Sequence, residues 1–250
     1  MDSGTVMNPT LEIIALIFKS KTYLDFICKQ LKSEWNQVPS WDISIRLVAN
    51  DATPEILATL PNCGVPFDIY NDPLPNDYYL NRVYRCWNHA GKTSKADHIC
   101  FVNSDMAFSP NWLANLLKHH DGSNIPCSRL IESGKMPSGL HGVSQNFGRN
   151  PIEFNETAWL QYVPTMSKNE LHAGGLYMPV VFEKNRFIQS GMYPEGNIYT
   201  TGIGKFGAPF LRSGDEYFFN AILNRNYSMR HVTVFDSLVY HIQEGERDAD

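Results

Sequence analysis

Short apolar runs alternate with amphipathic stretches over the first 120 residues of the chain. Residues 11–18 form an apolar run interrupted only by Glu12, and apolar side chains recur at helical spacing within residues 23–35. The alternation continues with predicted strands at residues 43–48, 67–70 and 99–102 and with predicted helices that begin at Pro54 or cover residues 78–89 and 110–118. This regular alternation of strands and helices predicts βαβ units and an α/β fold with a mainly parallel central sheet.

The pattern changes after about residue 122. Residues 133–151 are rich in Gly, Ser, Asn and Pro, a composition that predicts a long surface loop. Regular structure then returns, with predicted strands at 159–163 and 229–235, predicted helices at 179–185 and 215–223, and a small-residue turn at 173–175. Residues 191–214 carry six of the 17 glycines. A connection of this length predicts a lid or binding loop, with an insertion of no role as the alternative.

Composition favours one folded domain and excludes several classes of function. A chain of 250 residues that is 43% hydrophobic can bury a full core, so residues 1–250 are expected to form one domain with a frayed tail at 242–250. The run at residues 11–18 is too short to span a bilayer, and no secretory signal precedes it. The five cysteines contain no C-x-x-C pair, which favours a cytoplasmic location over a disulfide framework or zinc site. The mild net charge of -5, with scattered basic residues, gives no support for a nucleic-acid backbone as partner.

Polar residues directly follow the predicted strand at 99–102, where open α/β sheets bind ligands. The Asp105 carboxylate is the predicted ligand of Mn²⁺ or Mg²⁺ held against a diphosphate, because these ions prefer hard oxygen ligands. Asn103 and Ser104 are predicted to bond a ribose or the sugar. An ordinary strand-ending turn is the alternative for all three residues. His241 ends a β-rich run and could complete the metal shell, or it could simply face solvent.

Further candidates follow other predicted elements. Asn50 and Asp51 end the second strand, where contact with a nucleobase is expected, although Asx-turn residues would look identical. His172 precedes a small-residue turn and could face the acceptor or only belong to the turn. Trp87, Trp112 and Trp159 are expected to pack in the core, although Trp159 and Tyr199 could stack on a sugar ring.

Several segments resemble, in order and spacing, those of the family 2 glycosyltransferases with the nucleotide-sugar-binding GT-A fold. They are LEIIALIF, ISIRLVANDAT, LNRVYRCWNHAGKTSKADHICFVNSDMAF, HAGGLYMPVVFEKNRFIQSGMYPEG, SGDEYFF and the late VYH. The resemblance covers roughly residues 11–241 and implies a Rossmann-like sheet with helices on both faces. It also implies a nucleotide-sugar-binding half at about residues 8–120 and an acceptor-binding half at about residues 121–241.

The resemblance implies roles for individual residues. Asn50 and Asp51 match residues that read the uracil or ribose, and Asn88 matches an Asn near the end of the helix before the metal motif. Asn103 departs from the family, which has Asp at that position. A second departure, the absence of the Q-x-x-R-W segment of processive polysaccharide synthases, points to transfer of a single sugar.

Asp215 and Glu216 match the acid pair that supplies the base in this family. The pair opens a predicted helix, where both acids could instead complement the helix dipole. The N-cap preference falls on Asp215, so Glu216 is the predicted general base and Asp215 the fallback. In the preceding glycine-rich loop, Lys205 and Arg212 are predicted to anchor the donor diphosphate and to order the loop when the donor binds.

Together these features predict a glycosyltransferase that moves one sugar from a nucleoside-diphosphate sugar, expected to be a UDP-sugar, to a hydroxyl acceptor. Inversion is implied by the resemblance, and Mn²⁺ or Mg²⁺ is the expected cofactor. A glycan, a protein or a modified nucleic acid would all fit as acceptor. Two alternatives stay open: a nucleotidyltransferase of the same fold and a non-catalytic carbohydrate-binding module.

Overall fold

The computed structural model describes residues 8–75, 78–136, 138–139, 141–203 and 209–247. In chain order, the strands are β1 (Thr10–Ile17), β2 (Asp42–Asn50), β3 (Phe67–Tyr70), β4 (His98–Val102), β5 (Met106–Phe108), β6 (Asn124–Glu132), β7 (Gly142–Ser144), β8 (Leu171–Ala173), β9 (Val180–Glu183), β10 (Asn197–Ile203), β11 (Pro209–Ser213) and β12 (Arg230–His241). The helices are α1 (Lys21–Leu31), α2 (Pro54–Thr59), α3 (Tyr79–Thr93), α4 (Trp112–Leu117), α5 (Glu156–Met166), α6 (Lys184–Gln189) and α7 (Gly214–Tyr217), which continues as a π-helix over Phe218–Asn226. Short 3-10 turns cover Glu34–Asn36, Leu60–Asn62 and Gly245–Arg247.

A mixed sheet runs through the fold in the order β3-β2-β1-β4-β9-β6-β12-β5, with β7 beside β6 and β8 beside β12. Strands β3, β2, β1 and β4 are parallel, as the alternation of strand and helix predicts. Strand β9 lies antiparallel between β4 and β6, and β6 is parallel to β12. Strands β10 and β11 form a separate antiparallel hairpin.

Helices cover both faces of the sheet. Successive residues of a strand point to opposite faces, and in β1 Ile13 and Ala15 pack in one apolar cluster whereas Ile14 packs in another. The first cluster contains buried residues of α1, α2 and α4. The second contains those of α3, α6 and the π-helix. Burial on both faces explains why the central strands read as continuous apolar runs in the sequence.

Residues 159–163, predicted as a strand, lie in helix α5. The apolar run is compatible with the spacing of a strand or of a helix. The N-cap favours the helix, because the Asn155 side chain accepts a hydrogen bond from the Ala158 N–H at 3.0 Å. Trp159 is fully buried against Tyr240. This burial removes Trp159 from the candidates for stacking on a sugar ring.

Residues 179–185, predicted as a helix, form strand β9 and only the start of α6. Val180 pairs with Phe101 of β4 and with Cys127 of β6, so the segment fills a gap between two strands that are distant in sequence. Val180, Val181 and Phe182 all have high β-propensity, so the segment itself favours the strand over the predicted helix.

Residues 242–247, part of the tail that the sequence predicts to be frayed, are packed against the fold. Within the predicted tail, Ile242, Gln243 and Glu246 are buried, and Gly245–Arg247 forms a 3-10 turn against the sheet. A turn ordered by contacts with distant segments cannot be recognised from a polar tail sequence. None of the helices in the described part of the chain combines the length and the apolar composition needed to cross a bilayer.

Candidate active site

A cavity of about 490 Å³ opens at the carboxyl ends of β1, β2 and β4. Strands β1 and β4 are parallel neighbours in the sheet, and α/β folds bind ligands at the carboxyl ends of such strands. The polar and charged residues that line it are Asn50, Arg82, Asn103, Ser104, Asp105, Glu132, Ser138, His241, Gln243, Glu244 and Glu246. Most of the residues predicted for donor and metal binding therefore meet here.

Asp105 and His241 lie side by side at the cavity wall. The antiparallel register of β5 on β12 places Met106 opposite His241, which brings the preceding Asp105 next to the imidazole. Oδ2 of Asp105 lies 3.3 Å from Nε2 of His241. The Asp105 side chain is buried, and Oδ1 has no hydrogen-bond partner among the described residues. A buried carboxylate oxygen without a partner is a costly arrangement, which a bound cation or donor group would relieve.

Glu132 completes a chain of three polar side chains. The parallel pairing of β6 with β12 sets Glu132 opposite His241, and Nδ1 of His241 lies 2.8 Å from Oε2 of Glu132. Burial lowers the pKa of His241, but the carboxylates of Asp105 and Glu132 outweigh burial and raise it to about 10. Without another cation, His241 is therefore an imidazolium held between two carboxylates.

The donor set fits a divalent cation of the Mn²⁺ type. Carboxylate oxygen and imidazole nitrogen both suit Mn²⁺, and a ring nitrogen that ligates a metal is usually oriented by a carboxylate on the other ring nitrogen. Glu132 occupies that second position. The described residues contain no group of three or more His, Cys, Asp or Glu side chains placed to hold a metal by themselves. Asp105 and, once Nε2 has released its proton, His241 would thus supply two ligands and leave positions for the phosphate oxygens of a donor.

Replacing Glu132 with Gln is expected to weaken Mn²⁺ binding about 10- to 100-fold, because the imidazole loses the carboxylate that orients it. Isothermal titration with Mn²⁺ measures the effect. Glu170→Gln is the matched control, since Glu170 lies 3.3 Å from His172 on a different part of the surface. Equal Mn²⁺ affinity in both variants would contradict an orienting role for Glu132.

A second wall of the cavity carries groups suited to a nucleoside. Asn50 is buried, and its Oδ1 has no partner among the described residues. Asp51, predicted to contact the nucleoside, does not itself line the cavity: it accepts a hydrogen bond from the Asp72 N–H at 2.8 Å and lies 4.0 Å from the Arg82 guanidinium. That guanidinium stands over the Phe18 ring, 5.6 Å from its centre. An amide, a cation and an aromatic ring together can bind the edge and face of a planar base.

Asn88 lies outside this cavity. Its Nδ2 donates to the Tyr193 carbonyl at 2.8 Å, and its Oδ1 accepts from the Tyr193 N–H at 3.0 Å. Both functional groups of the side chain are therefore engaged by one residue of the segment that precedes the β10–β11 hairpin. The geometry supports a structural role in place of the nucleotide contact that the sequence predicts.

Substituting Asn88 with Ala is expected to lower the free energy of unfolding by about 1–3 kcal/mol, because backbone groups of Tyr193 lose their partners. Urea denaturation measures this loss, and titration with UDP and Mn²⁺ should show unchanged nucleotide affinity. Weaker nucleotide binding with unchanged stability would restore the contact predicted from the sequence.

Asp215 and Glu216 are adjacent to the hairpin and do not line the cavity. Helix α7 begins at Gly214, one residue before the predicted start, and the N-cap position is held by Ser213 and not by Asp215 as predicted. The Asp215 carboxylate accepts hydrogen bonds from the Ser213 hydroxyl and, at 2.7 Å, from the Glu216 N–H. Nε of Arg212 lies 3.5 Å from Oε1 of Glu216. Asp215 is thus bound locally, and the cation predicted to hold the diphosphate pairs with Glu216.

The base of the hairpin is fixed to helix α3. The Asp215 N–H donates to the Tyr84 hydroxyl at 3.2 Å, and Arg85 forms an ion pair with Glu195 at 3.0 Å. A Cβ at Gly214 would overlap the Pro194 carbonyl oxygen, so only glycine allows this close approach. Residues on the N-terminal part of α3 also line the cavity, which places the hairpin base beside the cavity.

Of three other candidate side chains, one lies away from the cavity and two fall outside the part of the chain that the structure describes. The His172 ring stacks on Phe235 with 4.0 Å between ring centres, and His172 does not line the cavity. Lys205 and the Tyr199 side chain fall outside the described residues. The predicted ordering of the loop at its tip, residues 204–208, also falls outside them.

Sequence reasoning missed two acidic residues of the site, Glu132 and Glu246. An acid that ends the buried run of β6 was a usable signal for Glu132, because a carboxylate is seldom buried without a partner. Nothing in the polar tail marks Glu246, whose partners are more than 140 residues away in the chain.

Three solved glycosyltransferases share the fold of this chain. GalNAc-T7, with UDP, GalNAc and Mn²⁺, has a TM-score of 0.55 at 14% identity over 96% of this chain and 44% of that protein chain. The mannosyltransferase PcManGT from Pyrobaculum calidifontis, with GDP-Man and Mn²⁺, has a TM-score of 0.55 at 11% identity over 95% and 58%. S. aureus TarS 1-349, with UDP-GlcNAc, has a TM-score of 0.52 at 15% identity over 96% and 60%.

This likeness confirms the predicted GT-A type of α/β fold and, at such low identity, nothing beyond the fold. The chain spans between 44% and 60% of the length of the three structures. No protein-family model and no curated protein sequence matches the chain.

Proposed function

We propose that the protein is a metal-dependent glycosyltransferase that moves one sugar from a UDP-sugar to a hydroxyl acceptor, with inversion, and that it is related to family 2. The observation that carries the proposal is the chain of Asp105, His241 and Glu132 lining a cavity in a fold that solved glycosyltransferases share. Two of the similar structures hold Mn²⁺ together with a nucleotide or nucleotide sugar.

Each wall of the cavity has a task in this proposal. Asp105 and His241 hold the cation, with Glu132 orienting the imidazole. When bound, the cation neutralises the charge that develops on the leaving diphosphate. Asn50, with Phe18 and Arg82 beside it, binds the uracil, and Asn103 and Ser104 bond the ribose or sugar.

Glu216 is the proposed general base, with Asp215 as the fallback. A carboxylate at the start of α7 would take the proton from the acceptor hydroxyl as the new glycosidic bond forms. Arg212 stands beside Glu216 and would move toward the diphosphate when the donor binds. This order of events requires that donor binding precede proton transfer, because Glu216 is paired with Arg212 before the donor arrives.

The proposal is tested by incubating the protein with Mn²⁺ and a panel of UDP-sugars and GDP-mannose, with and without glycan, protein and hydroxylated DNA acceptors. Release of free UDP, and of no pyrophosphate, is the expected result. In a parallel incubation with nucleoside triphosphates and sugar phosphates, release of pyrophosphate would instead identify a nucleotidyltransferase. Binding of glycans with no nucleotide bound or released would identify a carbohydrate-binding module.

A further inference from the structure

We infer that the turn formed by residues 242–247, here called the C-terminal turn, is a working part of the donor site, with Glu246 as a positioning residue. The inference rests on the proposed function and adds to it a residue that holds the loop after β1 and Ser104 in place around Asp105. It is carried by hydrogen bonds that join chain segments far apart in sequence.

The Glu246 carboxylate is buried and fully engaged. Oε2 accepts hydrogen bonds from the backbone N–H groups of Phe18, Lys19 and Ser20 at 3.2, 2.6 and 2.9 Å. Oε1 accepts from the Ser104 hydroxyl at 2.8 Å. A buried carboxylate with four donors is strongly held, since hydrogen bonds to an ionised acceptor are about twice as strong as neutral ones. One side chain therefore fixes both the loop after β1 and the residue next to Asp105.

Gly245 brings the backbone of the same turn against the Asp105 carboxylate. A Cβ at Gly245 would collide with Oδ2 of Asp105, and φ at Gly245 is +44°. The Ile242 N–H donates to the Asp105 carbonyl at 2.9 Å, so the turn contacts both the side chain and the backbone of Asp105. The position of the predicted metal ligand thus depends on the C-terminal turn.

The turn is anchored on its other side as well. Oε1 of Gln243 accepts a hydrogen bond from the Met136 N–H at 3.1 Å, and the Gln243 N–H donates to the Ser133 hydroxyl at 3.1 Å. The C-terminal turn consequently connects three walls of one cavity: the loop after β1, the β4–β5 turn and the segment after β6. Phe18, Met136 and Gln243 all line that cavity.

Glu246→Gln tests the positioning role, because an amide cannot present acceptor oxygens to Ser104 and to the loop at once. We expect the dissociation constant of UDP, measured at saturating Mn²⁺, to rise about 10- to 100-fold, as for other residues that orient a site. We also expect faster hydrogen exchange at the amides of residues 18–20. Glu153→Gln is the control, since Glu153 is exposed and accepts a backbone N–H at 3.2 Å on a distant surface.

Gly245→Ala tests the contact with Asp105 and needs no nucleotide. Gly191→Ala is its matched control, because Gly191 also has a positive φ, +89°, but a Cβ there would meet no atom within 4 Å. We expect Mn²⁺ affinity, followed by the paramagnetic signal of the free ion, to fall at least about tenfold in Gly245→Ala and to stay unchanged in Gly191→Ala.

The outcomes separate this inference from the proposed function. If the wild-type protein binds UDP and Glu246→Gln binds it equally well, the positioning role is overturned. If the wild-type protein binds no nucleotide, the proposed function fails, and the Mn²⁺ titrations then decide the inference alone. Equal Mn²⁺ affinity in the two glycine variants would overturn it.

Discussion

Asp105→Ala is expected to lower the rate of sugar transfer about a thousandfold, because several kcal/mol of charge stabilisation on the leaving diphosphate depend on the bound cation. The carboxylate is the natural oxygen ligand at this edge of the sheet, and its Oδ1 has no other partner among the described residues. Initial rates of UDP release, measured with an active donor and acceptor pair, give the size of the effect.

Asp25→Ala serves as the control for this measurement, since Asp25 lies on the exposed side of α1 and does not line the cavity. Its rate should equal that of the wild-type protein. A fully active Asp105→Ala variant, or full wild-type activity in excess chelator, would contradict the metal-dependent mechanism.

Glu216→Gln is expected to lower the transfer rate about 10²- to 10⁴-fold while donor binding and the fold are kept, because loss of a general base has an effect of that size. Asp215→Asn should instead lower stability by up to about 1 kcal/mol, because the Asp215 carboxylate is bound to neighbouring groups at the helix end. Transfer rates and thermal melting of the two variants form a matched pair of measurements.

The two variants can also show the opposite phenotypes, and this result would reassign the base. If Asp215→Asn abolishes transfer and Glu216→Gln does not, Asp215 is the base and its bonds to Ser213 and the Glu216 N–H orient it for that task. Retained transfer in both variants would remove the acid pair from the mechanism.

The sheet could be predicted from the sequence where neighbouring strands are also close in the chain. β1, β2 and β3 follow one another in the chain and in the sheet, and the burial of β1 on both faces is visible in the sequence as a continuous apolar run. The pairing of β4 with β1 is not local, because β2 and β3 lie between them in the chain. The β-propensity of Val180, Val181 and Phe182 was a local signal for strand β9, but its position between β4 and β6 could not be predicted, because both partners are distant in sequence. The helix at residues 159–163 was missed because the capping Asn155 lies outside the apolar run.

A residue of the site could be predicted from the sequence when the signal for it lies in its own segment. Asp105 follows a buried strand, and His241 ends one, so each could be found from its own segment. Their adjacency depends on the pairing of β5 with β12, which no local pattern reveals. Glu246 depends on three-dimensional contacts alone, and its tail position suggested the opposite of what the structure shows.

The Asn88 side chain illustrates the limit of motif matching. Its position in the helix before the metal motif matches the resemblance, yet both of its polar groups bond the backbone of Tyr193. A position in a motif indicates where a side chain lies along the chain, and only the fold determines what the side chain contacts.

The most direct test of the central claim is calorimetric titration of UDP into the protein with and without Mn²⁺. If Asp105 and His241 hold a cation against the donor diphosphate, Mn²⁺ should tighten UDP binding at least about tenfold in the wild-type protein, which corresponds to about 1.4 kcal/mol. The same titration of Asp105→Ala should show no such coupling. Equal UDP affinity with and without Mn²⁺ in the wild-type protein, or undiminished coupling in Asp105→Ala, would contradict the account.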